Sequence, residues 1–377
     1  MLNVRVRIIK ARSGDCFVID FENGHCILID GGYSNTYKAE LKPYLEYLNS
    51  KGKVLDYVIL THYDEDHIAG MIKFFEDNGE KQRVIPVKEV IVNGFSSVAC
   101  DDNDVKPVSA HKRGIDIQKA SSKQEYSFEN WCMDNGYPIN RFKSGKSIIA
   151  GDIIDCEDYS IKFVSPSQEQ LDQCHKKLME LLKDEEYHQN IINLQNTAIN
   201  LQEKEYLGTG VKTEKVVGYQ ETDIQCWTEY PAPDSLDIVN RASLAFEIIH
   251  GDHRLLFCGD ADMASHRDDL SCEFYDLIKL SHHGTVRGNE CFFGEKPIHS
   301  DKYVISTDAH RKNREHPSRQ LLGKIITEDR EKKIKLCFNY DITRGWVKPD
   351  YSLLKDKEQQ DKYRFDIDLN CDEIVFD

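Results

Sequence analysis

Apolar residues follow two rhythms along this chain, and the changes between them mark out its elements. Residues 4–10, 15–21 and 25–30 alternate or run apolar, with turn signals at Ser13-Gly14 and Asn23-Gly24, which predicts three strands. Apolar positions three and four apart predict helices over 38–50 and 67–78, with strands at 56–61 and 88–93. Residues 96–126 are polar and charged without a sustained period and read as a loop or small excursion. Strand candidates return at 146–155 and 159–164. From 165 to about 207 the chain is polar but helix-permissive, and from 208 to 236 it is mixed, with turn signals at Gly208-Thr209-Gly210 and Pro231-Ala232-Pro233. The stretch 165–236 therefore reads as a helical insertion. Runs at 243–250 and 254–258 predict a strand pair joined by His250-Gly251-Asp252-His253, and 277–280 and 303–307 predict two more strands. There are no internal repeats and no low-complexity tracts.

Candidate chemistry concentrates where the strand at 56–61 meets the helix after it. Residues 61–70 read THYDEDHIAG and place His62, Asp64, Asp66 and His67 within six positions. A polar cluster at such a junction sits on a loop that a rigid scaffold can present to a ligand. Imidazole and carboxylate together suit a borderline divalent ion such as zinc, manganese or iron. An acidic helix cap would account for Asp64, Glu65 and Asp66 but not for the two histidines.

The pattern H-x-D-x-D-H after a hydrophobic strand and Thr61 resembles the first signature of the metallo-β-lactamase superfamily, whose usual form has histidine where Asp64 stands. The variant with aspartate is similar to the hydrolase domain of ComEC/Rec2-type competence proteins and their free-standing relatives. Further blocks match in order. SGDCFVID (13–20) and CILIDGG (26–32) resemble the opening hairpin, and NRASLAFEIIHGDHRLLFCGDAD (240–262) the N-x-x-S-L strand pair ending in Gly-Asp. LIKLSHHGT (277–285) resembles the His-His-Gly turn, and STDAHRKNREHPSRQLL (306–322) the final strand with a His-Pro helix start. Because the blocks are dispersed, the resemblance implies one large α/β domain over 1–377, a four-layer αββα sandwich with the insertion 165–236 inside it.

The resemblance also implies a ligand set. His62 and Asp64 would serve one metal site, Asp66 and His67 a second, and Asp260 would bridge two ions about 3.5–4 Å apart. Aligning the His-His-Gly turn favours His283 as the last ligand, with His282 as the other candidate. Asp30 either orients a ligand imidazole or caps its own turn. Thr285 and Arg287 are candidates for binding an anionic substrate, against the commoner outcome of an exposed loop. One departure stands out: the further histidine usual between the first cluster and the bridging aspartate has no counterpart with a clear motif. His175 and His188 lie in the insertion and read as surface residues, while Asn240 falls near the vacancy. With Asp64 in place of histidine, the first site is oxygen-rich, which shifts preference from zinc toward manganese or magnesium. One or two divalent ions are expected.

The ComEC-like resemblance favours phosphodiester cleavage, with DNA or RNA as substrate. Arg311, Lys312, Arg314 and His316 follow the strand at 303–307 and would receive phosphates. Asp66, His67 and His316 are the expected catalytic residues, His316 stabilising or protonating the leaving oxygen. A net charge of −16 repels long polyanions as a whole, which favours small phosphodiesters as the alternative substrate. A third reading makes 165–236 a docking element for a protein partner, in line with partner-controlled relatives. A fourth makes Cys258, beside Gly259-Asp260, a nucleophile. Twelve cysteines without paired C-x-x-C spacing, an N-terminus MLNVRVRIIK that reads as a strand, and no apolar run of bilayer length predict a reduced cytoplasmic protein without a membrane partner.

Overall fold

Val4–Ile8 (β1), Phe17–Phe21 (β2) and His25–Ile29 (β3) form an antiparallel meander, and Val54–Ile59 (β4) and Val87–Ile91 (β5) extend it in parallel. The structure is a computed structural model that describes residues 3–79, 82–94, 128–129, 131–183, 222–230, 236–310, 315–344 and 349–377. The excursion 96–126 and much of the expected insertion, His188 included, lie outside the described residues.

A second sheet is built from Ile153–Asp155 (β6), Ser160–Ser165 (β7), Ala245–His250 (β8), His253–Phe257 (β9), Leu277–Lys279 (β11), Lys302–Ile305 (β13), Ile334–Phe338 (β14) and Phe365–Leu369 (β15). Phe274–Tyr275 (β10) and His299–Ser300 (β12) pair separately beside it. The eight-stranded order is β15-β14-β13-β11-β9-β8-β7-β6, antiparallel from β9 to β6 and parallel from β9 to β15. The last strand, Glu373–Phe376 (β16), leaves this sheet and pairs antiparallel with β1 at the edge of the first, giving β16-β1-β2-β3-β4-β5.

Alternation along the strands explains the layering. One core cluster takes Val6, Phe17 and Ile27 from the first sheet and Phe163, Phe246, Phe257 and Val304 from the second, so it lies between them. The other face of the first sheet packs on Lys42–Ser50 (α1) and Glu65–Asn78 (α2) through Leu45, Leu48, Phe74 and Phe75. The other face of the second packs on Arg319–Thr327 (α4) through Leu321, Leu322 and Ile325, with Trp227 and Tyr351. This gives the four layers αββα. Gln168–Lys183 (α3) forms the described part of the expected helical stretch, with His175 half-buried on it, and Lys357–Tyr363 (α5) precedes β15.

Three departures from the sequence expectation have local causes. Of the strand expected over 146–155, only β6 forms, because Gly151 turns at φ 93° and the Asp152 carboxylate accepts from the Ile149 amide. The helix expected from residue 38 begins at Ser34 and contains a π turn, Tyr37–Leu41, before α1. β15 and β16 carry no expectation, since FDIDL alternates with acids. Those acids pair along the edge, Lys333 with Asp366 at 2.8 Å and Lys335 with Asp368 at 2.7 Å.

Candidate metal centre

The ends of β4, β9, β11 and β13 meet at one edge of the sandwich. Asp64 stands at the N-cap of α2, yet its side chain makes no capping hydrogen bond. It lies instead 3.8 Å from His62 Nε2, and Asn240, with its amide nitrogen turned toward it, donates at 3.2 Å. Asp66 and His67 occupy the first turn of α2, buried against residues 13–15. Gly14 makes that approach possible: a Cβ there would sit 2.1 Å from the Asp66 carbonyl oxygen.

Asp260 is the hub. Its Oδ2 lies 3.7 Å from His62 Nε2, 3.6 Å from His67 Nε2 and 3.7 Å from His283 Nε2. Asp66 Oδ2 is 3.6 Å from His283 Nε2, and its Oδ1 is 4.0 Å from His67 Nε2. These separations exceed hydrogen bonds and approach the edge of a coordination tetrahedron, about 3.4 Å for bonds near 2.1 Å. The three Nε2 atoms and Asp260 Oδ1 are buried without a hydrogen-bond partner. Buried polar groups are seldom left so, which makes this donor set fit a bound cation.

The opposite ring nitrogens are all committed. His67 Nδ1 donates to Asp30 Oδ2 at 2.8 Å, His283 Nδ1 to the Ser306 carbonyl at 3.0 Å, and His62 Nδ1 to Thr61 Oγ1 at 3.0 Å. A neutral ring so held presents its lone pair at Nε2, toward the cluster. Asp30 also accepts from the Thr61 amide at 2.8 Å and hydroxyl at 2.7 Å, so it holds the His67 ring and the strand end together. Overlapping groups result, among them His62 with His67 and Asp260, and Asp66 with His67 and His283.

The His-His-Gly turn separates its two rings by backbone geometry. His282, His283 and Gly284 have φ of 47°, 56° and 84°. The left-handed region costs a non-glycine residue on the order of 1 kcal/mol, and such strain gathers at functional sites. His283 turns into the cluster. His282 faces away, 3.4 Å from the Asn240 side chain and 5.2 Å, ring to ring, from His316. His316 is buried, its ring 6.1 Å from that of His283. Arg311, Lys312 and Arg314 lie outside the described residues.

Sequence reasoning missed Asp15 and Lys279. Both are buried and ion-paired with each other, and Lys279 Nζ donates to the Gly259 carbonyl at 2.9 Å and lies 3.8 Å from Asp260 Oδ1. The available signal was a lysine inside the apolar run LIKL, a position that needs a buried counter-charge. Burial alone would raise the Asp260 carboxyl, but the imidazoles of His283, His67 and His282 outweigh it and hold it well below the carboxylate range. Burial alone would lower His283, yet Asp260, Asp15 and Asp66 push it up to about 9. His67 is likewise raised against its burial, by Asp260 and Asp30. Other expected residues fall elsewhere. Arg287 is exposed beside Glu290, and the Thr285 hydroxyl donates to the Arg287 carbonyl. Cys258 is fully buried, and burial drives its thiol far above the usual range, which disfavours a nucleophile.

The family model described as the metallo-beta-lactamase superfamily matches residues 9–117, the segment that follows β1 and contains the His62–His67 cluster. That match is to one segment of the chain, the segment that carries His62, Asp64, Asp66 and His67. Among solved structures, it is similar to the metallo-beta-lactamase fold protein YhfI from Bacillus subtilis, at 11% identity over 99% of each chain with a TM-score of 0.42. It is also similar to Zn(2+)-bound PqqB from Methylobacterium extorquens, at 9% identity over 100% of this chain and 99% of that one, TM-score 0.42. Igni18, a metallo hydrolase from the hyperthermophilic archaeon Ignicoccus hospitalis, aligns at 10% identity over 100% and 99%, TM-score 0.39. No curated protein matches the sequence significantly. Among the described residues, no helix is long and apolar enough to cross a membrane.

Proposed function

We propose that the protein is a metal-dependent phosphodiesterase that acts on DNA or RNA. One observation carries the metal half of this reading: three buried Nε2 atoms surround the Asp260 carboxylate without hydrogen-bond partners. His62, Asp64, Asp66, His67, Asp260 and His283 would hold one or two divalent ions, zinc or manganese, with magnesium less suited to so many imidazoles. A divalent ion there would supply Lewis acidity and lower the pKa of a bound water toward neutrality.

The chain's own residues do the rest. Asp30, Thr61 and the Ser306 carbonyl fix the ring orientations, and Asp15 and Lys279 fix the far side of Asp260. His282, with its ring toward His316 and Asn240 rather than the cluster, stands beside the centre. His316 would hold a proton for a leaving oxygen. Support for a phosphodiester substrate comes from the H-x-D-x-D-H and His-His-Gly motifs and from the basic run Arg311, Lys312, Arg314.

The test is cleavage of single- and double-stranded nucleic acid by manganese-loaded protein, with Asp66→Ala and His67→Ala as controls. Cleavage lost in both variants supports the proposal. Turnover of small phosphodiesters alone would replace the nuclease reading with the second one, which the net charge of −16 favours. A partner docking on 165–236 remains a separate proposal, tested by whether deletion spares basal hydrolysis while abolishing partner binding.

A further inference from the structure

The chain passes from one sheet to the other only once near its end, between β15 and β16, and a pair of thiols sits at that passage. Cys337 lies on β14 and Cys371 in the connection, both free, both buried and both in the core cluster between the sheets. Their sulfurs lie within 4.8 Å of each other, and the Cys371 amide donates to the Phe338 carbonyl at 2.8 Å, which holds the connection against β14. Asp368, the cross-strand partner of Cys337, completes a three-residue group. Its carboxylate is already engaged by Lys335 at 2.7 Å, and three donors fall short of the four that a closed structural metal site takes. The group is better suited to thiol chemistry.

We propose that Cys337 and Cys371 are a reversible redox pair that closes to a disulfide and staples the seam between the two sheets. A bond of about 2.05 Å lies within reach of side-chain rotation from this starting separation. The neighbouring Cys337 thiol lowers the Cys371 thiol below its ordinary range and is itself raised, and Cys371 is the more exposed of the two, so Cys371 is the readier nucleophile and Cys337 the resolving thiol. Cys371 keeps 5% exposure, and its neighbours Asn370 and Asp372 line a surface cavity of about 270 Å³. Hydrogen peroxide is the oxidant this pair would take. The Cys371 thiolate attacks one peroxide oxygen, the O–O bond breaks, and water leaves after protonation. Cys337 then attacks the resulting sulfenic acid, the S–O bond breaks, and a second water leaves as the S–S bond forms. Two thiols are oxidised and one peroxide is reduced to two waters.

The experiment is peptide mapping of the full-length, metal-loaded protein after hydrogen peroxide and alkylation. We expect a Cys337–Cys371 linked peptide pair, two hydrogens lighter than the free peptides and released by a phosphine reductant. Oxidised protein should also unfold at a higher temperature than reduced protein, because a cross-link restricts the unfolded chain, and Cys371→Ser should remove that shift. Recovery of both cysteines as free thiols after unfolding overturns the proposal. So does irreversible oxidation of Cys371 without a link, or protection of the pair by a zinc ion that chelation removes.

Discussion

The Asp30 carboxylate accepts from His67 Nδ1 at 2.8 Å while His67 Nε2 stands 3.6 Å from Asp260. That contact decides which edge of the ring reaches the cluster. Asp30→Ala should therefore weaken metal binding about 10–100-fold, the usual cost of losing an outer carboxylate. It should also destabilise the fold by about 1–3 kcal/mol, since the Thr61 amide and hydroxyl lose their acceptor. Titration calorimetry and urea unfolding separate the two effects. Unchanged metal affinity would remove Asp30 from the centre.

Metal uptake should release protons. In the metal-free protein His283 is raised from 6.5 to about 9, and His67 is raised as well. A raised histidine contributes stability that is complete below pH 6.5 and is lost as pH climbs through 9. Metal and proton compete for the same Nε2 atoms, so affinity should rise with pH across that window, roughly tenfold per unit for each proton displaced. Calorimetry at pH 7.5 in two buffers of different ionisation enthalpy counts the protons. Zero release would contradict the ligand assignment.

Lys279→Met tests the buried pair with Asp15. It leaves a buried carboxylate without its counter-ion, a change that costs about 3–5 kcal/mol. Denaturant unfolding of the variant should show that loss. A change below about 1 kcal/mol would mean that the pair contributes little.

His282 and His283 should separate by phenotype. His283→Ala should lower metal content, because its Nε2 faces Asp260 and Asp66. His282→Ala and His316→Ala should keep the metal while slowing turnover, about 10²–10⁴-fold where the group handles a proton. Equal metal loss in all three would place both outer rings among the ligands.

The strand-helix order through α2 and the residues around His62 were legible because apolar periodicity and clustered donors coincide there. The β8-β9 hairpin was legible from its turn, and Gly251 takes the left-handed φ of 58° that the turn needs. The C-terminal strands were not, since charged edge positions in FDIDL mask the alternation. Asp15 and Lys279 were hidden for a different reason: their roles come from meeting across β2, β9 and β11, which no local pattern encodes. Asn240 could be placed near the vacancy from motif order, but its neighbours Asp64 and His282 emerge only from the fold.

Elemental analysis of protein purified from cells and reconstituted with zinc or manganese tests the centre most directly. The wild type should hold one or two divalent ions per chain, and Asp260→Ala and His67→Ala should lose tight binding with the fold retained by circular dichroism. A wild type that takes up no ion, or variants that bind as many ions as the parent, would contradict that expectation.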